Sequence, residues 1–124
     1  MTKMLRAIGN DMEFFWANAH PDLVLEFPYA SSLGWPQRVT GYADIEQCVA
    51  NLGDALPGLS FSDIRVMPLA DGNGALLEYR GSAQNYDQRH ITLARFCDGR
   101  LILFREYFDT TEAARALSAG GAQA

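Results

Sequence analysis

Glu106 stands in Leu101–Asp109 (LILFREYFD), a stretch that reads as a β-strand and sets this acid between Phe104 and Phe108 on one face. A carboxylate among aromatic rings is costly unless it is paired or put to use. Burial disfavours its charged form, and a carboxylate brought toward neutrality is suited to removing a proton from a carbon beside a carbonyl. His90, in QRHITLARFC, is an imidazole able to orient such an acid or carry its proton. Tyr79, in ALLEYRGSAQ, offers a phenol to a developing enolate or a ligand oxygen. The competing account makes Glu106 and His90 a satisfied buried pair with no chemistry. Glu26 is the second acid of interest, although its strand equally allows it to point outward.

Whether Glu106 and His90 meet depends on the hairpin between their strands. Asp98-Gly99 permits a two-residue turn, which pairs Phe96 with Leu101 and turns Glu106 away from His90. It equally permits a three-residue loop, Cys97 to Gly99 with Gly99 left-handed, which pairs Phe96 with Arg100, His90 with Glu106 and Thr92 with Phe104. Alternation does not choose between them, because both faces of both strands are mixed.

The elements that must position these side chains follow from periodicity and punctuation. Residues 10–20 predict a short helix, with Asn10 or Asp11 as cap, Glu13 in the first turn and Pro21 beyond the end. Phe14, Phe15 and Trp16 on it are mainly core, with one able to line a cavity. Residues 22–29 predict a strand stopped by Pro28, and 30–41 a loop carrying Gly34, Pro36 and Gly41. Ile45, Val49 and Leu52 recur at helical spacing over 42–52. Four strands follow, over 59–70, 75–84, 88–97 and 100–109, then a helix over 110–118 capped by Asp109 with Thr110 or Thr111. The tail 117–124 is expected to fray. Helices followed by a strand meander predict an α+β domain with an antiparallel sheet.

The last two strands carry apolar residues on both faces: Ile91 and Leu93 against Ala94 and Phe96, then Leu101 and Leu103 against Ile102 and Phe104. An antiparallel sheet with one wet face would alternate apolar with polar, so both faces are expected to be covered. Helices supply one cover; a second subunit, packed sheet to sheet as a homodimer, supplies the other. Glu78, Arg80, Arg95 and Arg105 fall on the outer parity and suit a salt-bridged interface.

At 124 residues with 48% hydrophobic composition, the chain is expected to be one domain with a real core. Its net charge of −5, without any Lys/Arg cluster, argues against nucleic acid as a partner. No apolar run approaches the roughly 20 residues of a membrane span, and the N-terminus lacks the pattern of a signal peptide. Cys48 and Cys97, without a CxxC, support neither a disulfide framework nor a zinc site. A cytoplasmic protein without metal or cofactor is the expectation.

Several stretches taken together resemble the SnoaL-like proteins: VLEFPYA, the GWP, RV and GYADI segments after it, LLEYRG, and HITLARFCDGRLILFREYFD with its following helix. These belong to the nuclear transport factor 2-like superfamily, with ketosteroid isomerases, polyketide cyclases, limonene epoxide hydrolase and phenazine-biosynthesis proteins. The resemblance spans roughly residues 11–117. It implies a single SnoaL-like domain over 1–124, a cone-shaped α+β barrel whose curved antiparallel sheet wraps around N-terminal helices. Its hollow would hold a small apolar ligand, and dimers would form through the outer sheet face. The resemblance also selects the three-residue loop and turns Tyr79, Gly81, His90, Thr92, Phe104, Glu106 and Phe108 toward the hollow. Trp16 and Phe27 join Thr92, Phe104 and Phe108 as ligand contacts, as does Trp35, which with Tyr29 either closes the mouth or packs the loop down.

The catalytic residues of the family carry over only in part. Where limonene epoxide hydrolase-like proteins have an Arg and an Asp two apart, this chain has Tyr79 and Gly81. The protonated Asp of ketosteroid isomerases matches Thr92, their acid near the EFP segment matches Glu26 or Phe27, and their first-helix Tyr has no clear counterpart. Glu106 is the acid that remains. The resemblance therefore implies cofactor-free isomerisation or cyclisation of an apolar carbonyl compound, with Glu106 as general base assisted by His90 and Tyr79. A non-catalytic binding protein for an apolar metabolite is the alternative, and an interaction domain that keeps the cone only as scaffold is a third.

Overall fold

The computed structural model describes residues 1–121, and among them it has four α-helices and one six-stranded sheet. Two short helices open the chain, α1 (Thr2–Ala7) and α2 (Met12–Ala17). Asp11 caps α2 by accepting from the Phe14 N–H at 3.1 Å, which satisfies one of the orphan donors of the first turn. Strand β1 (Ala19–Glu26) follows, then a 3₁₀ turn at Ala30–Leu33 and a three-residue strand β2 (Arg38–Thr40). Helix α3 (Tyr42–Ala55) starts after Gly41 and leads through Pro57-Gly58 to β3 (Ser60–Pro68). The hairpins β4 (Gly74–Ala83), β5 (Tyr86–Cys97) and β6 (Arg100–Tyr107) come next, and α4 (Thr110–Gly121) closes the described chain. Asp109 caps α4, accepting from the Thr111 N–H at 2.9 Å. Helix α4 extends to Gly121, into the 117–124 segment expected to fray; residues 122–124 lie outside the described residues.

The strand order is β2-β1-β6-β5-β4-β3, an α+β architecture whose curved sheet stays open. It is mixed rather than purely antiparallel, because β1 runs parallel to β6. A parallel neighbour needs a long crossover, and here the whole segment from β2 to β5 supplies it. Strand β2, read as loop, is an edge of three residues on β1, too short to alternate visibly.

The β5–β6 register corrects the expected loop. Cys97 pairs with Arg100 and Phe96 with Leu101, so the turn has two residues, and Asp98 (φ 52°) and Gly99 (φ 75°) are both left-handed. That is the turn whose twist matches a hairpin. Beyond it Arg95 pairs with Leu103, so Ile102 is one residue extra, a β-bulge. The bulge reverses the parity set by the turn. Glu106 thus lies across from Thr92, not His90, yet on the face that carries His90, which itself pairs with Tyr79. The face was anticipated; the route to it was not.

Leu5, Phe15, Leu23, Ile45, Leu77 and Leu101 are fully buried, joining α1 and α2 to the sheet. A second cluster, Leu56, Tyr86, Ala113 and Ala116, ties α3 and α4 to the far end of β5. On the outer face the charges pair within the chain: Arg80 with Asp87 at 2.7 Å, Arg89 with Asp63 at 2.9 Å, and Arg95 with Asp71 at 2.9 Å. Exposed pairs of this kind contribute little stability. Met67 and Ile91 are exposed among them.

The turn geometry is open to a direct test. Asp98→Val places a β-branched residue in a left-handed conformation and should cost about 1–2 kcal/mol, whereas Asp98→Gly should be near neutral. Urea midpoints at unchanged m-value measure both; a harmless valine would restore the three-residue loop.

Candidate functional site

A hollow of about 610 Å³ lies between the sheet, α3, α4 and the segment leading into β2. Its walls include Phe27, Trp35, Val39, Leu52, Leu56, Phe61 and Phe108. Trp35 and Phe108 approach each other with ring centroids 6.4 Å apart. Glu106, His90 and Tyr86 supply polar groups of the sheet wall, with Arg38 and Thr40 on β2 at its edge. Facing them, α3 contributes Asp44, Gln47, Cys48 and Asn51. Their spacing places them on one face of the helix.

Behind Glu106 the polar groups are layered. The Tyr79 phenol donates to Glu106 Oε2, and its oxygen lies 2.7 Å from the Thr92 hydroxyl. Both Tyr79 and Thr92 are completely buried. Because Tyr79 spends its proton on Glu106, Thr92 is the donor in the second bond. His90 is buried and stacks on Tyr79, with ring centroids 5.2 Å apart and planes within 1°. Its Nε2 lies 2.9 Å from the Tyr86 hydroxyl. Its Nδ1 is 3.5 Å from Glu106 Oε2 and has no hydrogen-bond partner among the described residues. With Oε2 engaged, Glu106 Oε1 carries no hydrogen bond among the described residues, and the side chain lines the hollow.

This carboxylate perturbs its neighbours. Burial first, then the Glu106 charge and hydrogen bond, hold the Tyr79 phenol well above its ordinary value near 10. Burial and the same charge also push Tyr86 up. The Cys48 thiol is raised by burial and secondarily by Glu106, so it faces the hollow as a neutral group.

The residues read from the sequence divide accordingly. Glu106, His90, Phe27, Trp35 and Phe108 line the hollow. Tyr79 does not reach it, standing behind Glu106 as its support. Three expected ligand contacts are corrected. Thr92 and Phe104 share the parity of Glu106 but lie toward the end filled by α1 and α2, where they are buried. Trp16 turns its indole N–H to Glu46 and packs on Tyr42 at 4.7 Å, tying α2 to α3. Glu26 pairs with Arg105 at 3.2 Å and is not part of the cavity wall. The polar stripe of α3 was missed, since Ile45, Val49 and Leu52 drew the helix to the core. Its signal was the polar recurrence at 44, 47, 48 and 51. Among the described residues, no three His, Cys, Asp or Glu side chains gather as a metal site, and no helix is long and apolar enough to cross a membrane.

The raised phenols give a pH dependence with a definite sign. The unfolded chain releases these protons from about pH 10 while the folded chain retains them, so the stabilisation is present below that pH and lost above it. Each tyrosine contributes a slope of up to about 1.4 kcal/mol per pH unit. Urea unfolding between about pH 9 and 11 should show the decline, and Tyr79→Phe should flatten it while removing about 1–3 kcal/mol at neutral pH. An unchanged slope in the variant would contradict the buried-phenol assignment.

No family model matches the chain. An uncharacterised PhzA/B-like protein of Pseudomonas aeruginosa is 31% identical over 127 residues, covering 97% of this chain and 87% of that relative. A solved structure from Bacillus subtilis, provisionally described as an isomerase, shares 26% identity at a TM-score of 0.78, over 94% of this chain and 91% of that one. Another, from Jannaschia and provisionally described as a SnoaL-like polyketide cyclase, has the same fold at 21% identity and a TM-score of 0.70, covering 95% and 91% of the two chains. With that likeness, the chain belongs to the PhzA/B-like proteins, and its open cone is the fold of SnoaL-like and nuclear transport factor 2-like structures.

Proposed function

We propose that the hollow binds a small carbonyl compound and that Glu106 removes a proton from the carbon beside the carbonyl, in an isomerisation or cyclisation. The observation that carries this reading is a carboxylate on the cavity wall with Oε2 held from behind by Tyr79 and Oε1 unpaired among the described residues. Oε1 is then the base. A volume of about 610 Å³ suits a compact ligand, and Phe27, Trp35 and Phe108 would bury its apolar surface. The enolate oxygen formed by proton removal would turn toward α3, where the neutral Cys48 thiol and the Gln47 and Asn51 amides are the available donors. Tyr79 holds Glu106 in place and is not a substrate contact. The descriptions of the two similar solved structures, an isomerase and a cyclase, support the same class of chemistry.

Binding without turnover is the second reading, favoured by the buried Tyr79–Glu106 hydrogen bond, which stands equally well as a structural pair. A panel of enolisable cyclic and aromatic ketones in deuterium oxide separates the two, with exchange at the α-carbon followed by proton NMR. The wild-type protein should accelerate exchange, and Glu106→Gln should reduce the acceleration by about 10²–10⁴-fold with little change in ligand affinity. Binding without exchange selects the second reading, and exchange that survives in the variant overturns Glu106 as base.

Self-association through the outer sheet face belongs to the same proposal. Met67 and Ile91 are the exposed apolar residues there. Light scattering at micromolar concentration should return twice the chain mass, reduced to the monomer by Ile91→Lys.

A further inference from the structure

We propose that Tyr86 is a positioning residue that keeps His90 in the tautomer protonated at Nδ1, with Gly81 providing the space the ring needs. This deepens the reading of Glu106 as base, but its first test does not depend on that reading. None of the sequence patterns singled out Tyr86, which begins β5 and is buried at the junction of α3, α4 and the sheet.

The argument is one of donors and acceptors around a confined ring. Tyr79 stacks on one side of His90 at 5.2 Å, and Phe61 and Phe108 close in at 6.3 and 6.4 Å. A Cβ on Gly81 would lie 2.7 Å from Nε2 and 3.1 Å from Cδ2, so any side chain there would displace the imidazole. Within this slot Nε2 meets only Tyr86, at 2.9 Å, and Nδ1 faces Glu106 Oε2, at 3.5 Å. If the proton sat on Nε2, it would be donated to the Tyr86 oxygen, and the Nδ1 lone pair would confront a carboxylate oxygen in a buried space. If the proton sits on Nδ1, the phenol donates to Nε2 and N–H points at the negative oxygen. The second arrangement makes both contacts attractive. It requires that Tyr86 stay protonated, and burial keeps it so.

The consequence for the site is a division of labour between the oxygens of Glu106. Oε2 faces two donors, the Tyr79 O–H and the His90 Nδ1–H. When Oε1 accepts a proton from a ligand carbon, Oε2 becomes the carbonyl oxygen of a neutral acid, still accepts from Tyr79 and still faces the His90 N–H at 3.5 Å. Neither buried donor is stranded in either state, so proton transfer needs no rearrangement behind the carboxylate.

Long-range ¹H–¹⁵N spectra of the imidazole nitrogens test this directly, and the chain has only two histidines to assign. Wild-type protein at neutral pH should show a protonated Nδ1 and a pyridine-like Nε2 for His90. A protonated Nε2, or an imidazolium, overturns the proposal whether or not any variant folds. Tyr86→Phe, which removes one oxygen, should shift His90 toward a tautomer mixture, and an unchanged spectrum also overturns it. In the α-exchange assay this variant should lose about 10–100-fold in rate with ligand affinity retained. If the tautomer is as stated and the wild-type protein catalyses no exchange, the failure belongs to the role of Glu106 and not to Tyr86.

Discussion

A β-strand assigns side chains to alternate faces, and every functional group of this protein on the last hairpin depends on that parity. The Asp98-Gly99 turn on its own would place Glu106 on the outer face. One extra residue, Ile102, reverses the assignment for the rest of β6. The carboxylate, Phe104 and Phe108 all enter the concave side because of that bulge. The β1–β6 ladder shifts register in the same stretch, between Leu101 and Leu103.

Burying a carboxylate brings a desolvation cost that must be met by donors. Here the donor is Tyr79 on β4, with Thr92 behind it, and the His90 ring of β5 stands 3.5 Å away. Positions 81 and 92, which the resemblance matches to acids of other superfamily members, serve this support. Thr92 donates to Tyr79, and Gly81 leaves room for the His90 ring. An aspartate at 81 and an imidazole in this position are mutually exclusive, because the added Cβ would stand 2.7 Å from Nε2. On the sheet wall of the hollow, Glu106 is the acid among the described residues, with an aromatic backing.

Much of the architecture was legible in local pattern. Asp11 and Asp109 announced their helices as short polar caps, the Asp98-Gly99 pair announced a hairpin, and the strands from β3 to β6 stood out by composition. The parallel β1–β6 contact was not legible, since nothing in either strand encodes a partner about eighty residues away. Strand β2 was hidden by its three-residue length. Trp16 misled for a different reason: an aromatic on an amphipathic helix has two apolar destinations, and only the position of Glu46 on α3 directs its N–H away from the hollow.

By itself, the sequence determined that an acid, an imidazole and a phenol would sit on three consecutive strands of an α+β sheet, because local propensity, turn chemistry and alternation act over a few residues. The tertiary structure decided which of them faces the hollow and which stands behind. A bulge, a missing Cβ at Gly81 and the helix opposite are all contacts between segments far apart in the chain. Their energies arise only when the strands are side by side, so no local pattern records that Glu106 is the acid presented, that Tyr79 holds it, or that Tyr86 holds His90.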